Sequence, residues 1–291
     1  MSGNLARCIA FAVVAIPAVL AVGYVGGWPL AFLLAGAGVL GARELYGFAR
    51  AQGIEPMERF GMLAAAATPL AVAWPLFAPS RLSAGIVRDG YLLAFGILAL
   101  LVVALARRRP DQKPLTAVAV TAFGVLYAAW LPSFALFLRH PLPGQFANDS
   151  TVGLSLLAFP LVLTWAGDTA AMAAGRAFGG PRLAAVVSPN KTWAGAGGAV
   201  FATVALSVVY AAVVFTRVGV ALTVWEAVLA GAVISLAGQV GDVAESLFKR
   251  EVGLKDSSGL IPGHGGVLDR LDSLYFALPA TALLMRALGV A

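Results

Sequence analysis

From Gly238 to Lys249 the chain reads GQVGDVAESLFK. On a helix, where successive residues turn by about 100°, Asp242, Glu245, Ser246 and Lys249 fall on one face. Two carboxylates, a hydroxyl and an ammonium in one stripe suit the handling of cations or phosphates. The plainer reading is a helix end reaching water, with Glu245 and Lys249 as an ordinary i,i+4 pair. Against it, carboxylates within an apolar span are costly and usually face a partner or a cavity.

A second concentration follows in LIPGHGGVLDRLDS, Leu260 to Ser273. Asp269, Asp272 and Ser273 share a face at the start of a last apolar run, where the helix dipole by itself favours acidic residues. The preceding PGHGG is poor in side chains, so its backbone N–H groups, among them those of Gly265 and Gly266, can approach an anion ahead of a helix N-terminus. Lys249, Arg250, Lys255 and Arg270 surround it in sequence, which points to phosphates. Asp269 and Asp272 offer hard oxygens to Mg²⁺, an ion bound through one or two carboxylates plus substrate phosphates. His264 reads as a phosphate donor or a loop residue ahead of a general base.

The third concentration is TWAGDTAAMAAGRAFGG, followed by VVSPNKTWAGAGG. Asp168 lies within an apolar run, flanked by small residues that admit a neighbouring helix. SPNKTW predicts a loop entering a helix, with Ser188 or Asn190 as the cap and Lys191 near the first turn. A lysine there opposes the helix dipole. An anionic ligand accounts for it, as does snorkelling to lipid phosphates.

These groups must be positioned by a very apolar chain. Of 291 residues, 60% are hydrophobic and only 12% charged, against roughly 25% charged in soluble domains. The fold class is therefore all-α, a polytopic integral membrane bundle. Apolar runs predict about nine helices, near 7–25, 29–48, 60–77, 90–106, 115–138, 153–175, 194–216, 222–248 and 268–289. Arg7 and the run to Leu20 resemble a signal peptide, but further runs follow closely and the segment reads as a retained first span. The single cysteine, Cys8, excludes an internal disulfide and a cysteine metal cluster. Fifteen of the 20 Lys and Arg fall on one side of the alternating loops. This places the N-terminus in the cytoplasm and assigns the net charge of +6 to topology, not to nucleic acid. RRRPDQK, Arg107 to Lys113, reads as such a topology signal. Glu44, in GARELYGF, reads as a structural or interfacial contact, with a place near a lipid entrance as the lesser alternative. No internal repeat is visible, which disfavours a transporter. Charge distribution suggests N-terminal helices over 1–110 and a catalytic region over 111–291, with motif blocks at 164–195 and 238–273.

The stretch SLFKREVGLKDSSGLIPGHGGVLDRLD, Ser246 to Asp272, closely resembles the hallmark of the phosphatidate cytidylyltransferases, or CDP-diacylglycerol synthases. The likeness runs over 27 residues without a gap. GDTAAMAAGRAFGG and SPNKTWAG resemble a second block of that family, and GVLYAAWLPSFALFLR its middle region. Met172 stands where the family usually has Tyr, and Ala194 where it has Glu. The resemblance implies the reaction of CTP with phosphatidic acid to give CDP-diacylglycerol and pyrophosphate. Related isoprenoid-lipid cytidylyltransferases and polyprenol kinases are the alternatives. It implies Mg²⁺, and leaves open a second cation such as K⁺. Asp242 and Asp269 become the first candidates for the metal, with Asp168 and Asp272 next. Ser246, Lys249, Arg250, Lys255, His264 and Arg270 become phosphate contacts, joined by Lys191, Ser188, Gly265 and Gly266. The implied location is the inner membrane, with the site at its cytoplasmic face and a homodimer left open.

Overall fold

The structure, a computed structural model, describes residues 13, 17–77, 90–141, 149–261, 263 and 265–290. Its elements are α1 (Gly27–Ala51), α2 (Glu58–Phe77), α3 (Tyr91–Arg107), α4 (Pro114–Val125), α5 (Phe134–Arg139), α6 (Ser150–Phe178), β1 (Arg182–Ala184), β2 (Ser188–Thr192), α7 (Trp193–Tyr210), α8 (Val224–Glu251), α9 (Leu268–Leu271) and α10 (Leu274–Ala287). The chain divides into two compact units: residues up to Leu136 with Asp256–Arg270, and Phe137–Lys255 with Leu271 onward.

The protein is helical and membrane-bound in character. Among the described residues, six helical segments are long and apolar enough to cross a membrane: Gly27–Ala51, Glu58–Phe77, Pro114–Arg139, Ser150–Phe178, Trp193–Val218 and Val224–Glu251. Tyr91–Arg107 is apolar but only 17 residues long, and the predicted span near 7–25 lies largely outside the described residues. The predicted span at 268–289 is broken into α9 and α10. At the break Asp272 accepts the N–H of Ser273 at 2.6 Å, a local bond that competes with helix continuation. Among the described residues the count of nine is thus not confirmed. Pro114–Arg139 is also irregular, with a π turn over Leu126–Trp130 ahead of Pro132.

In the first unit, α1 packs on α2 and α4 around Tyr46, which is fully buried. Its hydroxyl donates to the Thr121 carbonyl at 2.9 Å, and Gly61 and Gly124 leave room for its ring. Thr121 Oγ1 accepts the N–H of Met57 at 2.9 Å, which fixes the α1–α2 connection. Arg108 donates to the Glu55 carbonyl at 2.7 Å. One arginine of the basic run therefore also holds a loop, besides any topological role.

In the second unit, glycines set helix spacing. A Cβ at Gly195 or Gly198 of α7 would strike the Ala171 carbonyl or the Ala174 side chain of α6, and one at Gly231 of α8 would strike the backbone of α7. Such close approach is how helices associate where burial from water supplies no drive. Hydrogen bonds between helices add to it: Tyr210 donates to the Ser155 carbonyl at 2.8 Å and Ser207 to that of Ala227 at 2.6 Å. Phe159, Tyr210 and Phe215 form an aromatic core with centroids 4.9–5.1 Å apart.

Helix α6 ends at Gly179 and Gly180, both with positive φ (59° and 94°), before Pro181. Glycine relieves the steric cost of that turn, and proline cannot continue the helix. The chain then forms an antiparallel hairpin, Arg182 opposite Thr192 and Ala184 opposite Ser188, where a loop was predicted. The cap of α7 is Thr192, whose Oγ1 accepts the N–H of Gly195 at 3.1 Å. Neither Ser188 nor Asn190 caps it: pairing in β2 carries both away from the helix start. Lys191 likewise lies in β2, not in the first helical turn.

Candidate functional site

The second unit contains a cavity of about 680 Å³ lined by α6, the hairpin, α7 and α8. Asp168, Ser188, Lys191 and Asp242 line it, as do the departure residue Met172 and Arg176. Two motif blocks about 43 residues apart in sequence therefore meet at one cavity wall, where Lys191 Nζ lies 2.6 Å from Asp242 Oδ2. The anionic partner that the lysine called for is the protein's own aspartate. Both side chains keep access to the cavity, with 25% and 31% exposure, and Asp168 is exposed along its wall.

Asp168, Asp242 and Asp272 belong to one electrostatic group, in which each of the other two carboxylates repels Asp272 and Lys191 offsets the repulsion at Asp168. Among the described residues, no three Asp, Glu, His or Cys side chains converge closely enough to hold a metal by themselves. For Mg²⁺ this is no obstacle. That ion takes one or two carboxylates and completes its shell with water and phosphate oxygens, and these aspartates are donors of that kind.

Further along α8, Ser246 Oγ stands 3.5 Å from Asp242 Oδ1, at the limit of a hydrogen bond. Glu245 and Lys249 form an ion pair at 3.0 Å with side chains 0% and 9% exposed. The reading of a helix end in water does not describe this pair. It is buried, where each charge depends on the other. Arg250 donates to the carbonyls of Val187 (3.2 Å) and Leu254 (2.7 Å), tying the hairpin to the end of α8. Lys255 is exposed.

The remaining predicted residues lie in the first unit. Asp269, 9% exposed, accepts at Oδ2 from the N–H of Ser257 (2.7 Å), the hydroxyl of Ser257 (2.8 Å) and the N–H of Gly266 (2.8 Å). Glu44 of α1 accepts from the hydroxyls of Ser257 (2.9 Å) and Ser258 (2.6 Å) and from the N–H groups of Val267 (3.1 Å) and Leu268 (2.9 Å). The two glycines have a steric reason here. A Cβ on Gly266 would enter Ser257 Oγ and both Glu44 carboxylate oxygens, and one on Gly265, at φ +79°, would enter Asp269. Ile261 pairs with Gly265 across the loop at 2.8 Å. Arg270 is exposed, and His264 lies outside the described residues.

Of the residues singled out in the sequence, Asp168, Ser188, Lys191 and Asp242 line the cavity. Sequence reasoning gave Glu44 no part in the glycine-rich loop, and it passed over Ser257, Ser258 and the cap Thr192. The signal for Glu44 was present, a lone carboxylate in a 25-residue apolar helix, but its partners lie more than 200 positions away and no local spacing names them. Arg176 and Gln239, which also line the cavity, were visible only as polar residues within apolar runs.

A helical membrane protein with a charged, carboxylate-lined cavity and a separately braced glycine loop is the class that fold and site define. The sequence matches the cytidylyltransferase family over residues 6–288. The chain belongs to that family. Curated relatives include a phosphatidate cytidylyltransferase of Haemophilus influenzae, 42% identical over 53% of this chain and 53% of its own. One of Brucella suis is 40% identical over 54% and 53%, and one of Staphylococcus epidermidis 39% identical over 48% and 52%. The chain thus spans about half the length of the curated relatives it matches.

Proposed function

We propose that this chain is a phosphatidate cytidylyltransferase, converting CTP and phosphatidic acid to CDP-diacylglycerol and pyrophosphate in phospholipid synthesis. Family membership and the names of the relatives support the reaction class. The observation that carries the reading is the cavity in which Lys191 pairs with Asp242 beside Asp168 in a membrane-spanning bundle.

The chemistry asks little of a base, because the lipid phosphate is already ionised near neutral pH. Its oxygen attacks the α-phosphorus of CTP, a new P–O bond forms, and the bond to pyrophosphate breaks, the pyrophosphate carrying away the electron pair. The difficulty is electrostatic: two anions must meet, and negative charge must be held as the leaving group departs. Lys191 and Arg176 offer fixed positive charge at the cavity wall. Asp168, Asp242 and Asp272 would hold Mg²⁺, which when bound would neutralise phosphate charge. With Asp242 turned to the metal, Lys191 would be free to pair with phosphate. The bias of lysine and arginine supports a site at the cytoplasmic face of the inner membrane.

The test is a substrate panel with the pure protein in mixed micelles. CTP with phosphatidic acid is expected to yield a liponucleotide and pyrophosphate in the presence of Mg²⁺. Turnover only with polyprenyl phosphates, or phosphorylation of a polyprenol, would overturn the choice of lipid.

A further inference from the structure

Among the described residues, Glu44 is a carboxylate far from the cavity motifs in sequence whose bonds converge on the glycine-rich loop. Glu44 sits two-thirds along α1 and is 9% exposed. Its four donors among the described residues come from two places. Ser257 and Ser258 open the loop, and Val267 and Leu268 close it. The bonds thus cross the neck of the segment, joining its two ends through one side chain of a different helix.

Asp269 engages the same neck. Ser257 Oγ stands 2.9 Å from Glu44 Oε2 and 2.8 Å from Asp269 Oδ2, so one hydroxyl proton serves two carboxylates. The N–H groups of Ser257, Gly266, Val267 and Leu268 and the hydroxyl of Ser258 supply the other donors. Charge-assisted bonds of this kind are stronger than neutral ones. A buried carboxylate satisfied by backbone donors fixes the backbone that donates. Gly266, where any Cβ would enter Glu44, shows how closely the loop is drawn onto this acid.

We propose that Glu44 is a positioning residue for the cytidylyl-transfer reaction. It touches no reacting atom in this role. It clamps the neck of the 257–268 loop, and so sets the stance of Gly265 and Gly266 within it. The proposal rests on the cytidylyltransferase reading above for its kinetic consequence, but not for its structural one.

The experiment compares full-length wild type with Glu44→Gln and Glu44→Asp in mixed micelles. Glutamine keeps the shape but replaces one acceptor oxygen with a donor facing donors. Amide exchange at Val267 and Leu268 is expected to rise about tenfold or more in Glu44→Gln, with α1 protection unchanged. kcat/KM for CTP should fall on the order of 100-fold. A positioning role further requires that Glu44→Asp, which keeps the charge, recover part of both. Ser258→Ala, which removes a single donor, should give a smaller loss in the same direction, and it carries the test should Glu44→Gln not fold. Wild-type exchange at Val267 and Leu268 in a folded Glu44→Gln, or unchanged kcat and KM in an active background, would overturn the clamp. Failure of the wild type to make liponucleotide would refute the functional reading alone, because the exchange comparison needs no turnover.

Discussion

Replacing Lys191 with methionine removes the cation that balances the aspartates of the cavity while keeping the length of the side chain. The pair is 2.6 Å long and its members are 25% and 31% exposed. A fully exposed pair contributes about 0–1 kcal/mol, and breaking a buried one costs about 3–5 kcal/mol. This pair lies between, and its loss also removes the charge that offsets the repulsion of Asp168 by Asp242. A destabilisation of about 2 kcal/mol follows, or a Tm lower by about 4–8 °C for a chain of this size class. The effect should depend on the metal. With Lys191 gone, Asp242 no longer has a competing cation, so Mg²⁺ binds more tightly and stabilises by linkage, about 2.7 kcal/mol at a hundredfold excess over Kd. Thermal unfolding in detergent, with and without Mg²⁺, reads both parts. The Mg²⁺-induced rise in Tm should be larger in Lys191→Met than in wild type, even as turnover is lost. A metal-free Tm within about 1 °C of wild type, together with an equal Mg²⁺ increment, would show that Lys191 neither stabilises the cavity nor competes with the metal.

Gly266→Ala should be as damaging as loss of a carboxylate, because its Cβ would displace Ser257 Oγ and both Glu44 oxygens; liponucleotide formation should fall about 100-fold or more, and wild-type rates would contradict this. Arg250→Ala should free the hairpin, since Arg250 joins the Val187 carbonyl to the end of α8; limited proteolysis should then cut within 182–192 faster than in wild type. Glu245→Leu should destabilise by about 3 kcal/mol, and adding Lys249→Met should recover part of that loss, because the second change removes the buried charge left by the first. Chemical unfolding of the single and double variants distinguishes this from additive effects.

Much of the architecture could be read from composition and periodicity, since a bilayer admits few folds and long apolar runs declare themselves. Breaks within those runs were less visible. Asp272 and Ser273 interrupt a stretch that reads as one span, and Gly179, Gly180 and Pro181 open a hairpin where a plain loop was expected. Lys191 was noticed because it opposed a helix dipole, yet its partner is Asp242, 51 residues later, a pairing that only the fold makes. The 27-residue hallmark reads as one object in sequence but is shared out in the fold. Ser246–Lys255 belong to the unit with the cavity and Asp256–Arg270 to the unit with Glu44, while Leu271 and Asp272 return to the first of these. Asp242 and Asp269, paired in the sequence reading as joint metal ligands, each have partners inside their own unit. Asp242 has Lys191 and Ser246, and Asp269 has Ser257 and Gly266. Adjacency in a motif carried no information about which unit each residue joins.

The central claim is that the aspartate–lysine cavity of the second unit is where CTP reacts with a lipid phosphate. It is tested most directly by incubating the purified full chain with labelled CTP, phosphatidic acid micelles and Mg²⁺, beside Asp242→Asn protein that is folded at the assay temperature. Labelled CDP-diacylglycerol from the wild type, with formation at least about 1,000-fold slower in Asp242→Asn, is the predicted result. Liponucleotide formed at comparable rates by both proteins, or by neither, would contradict it.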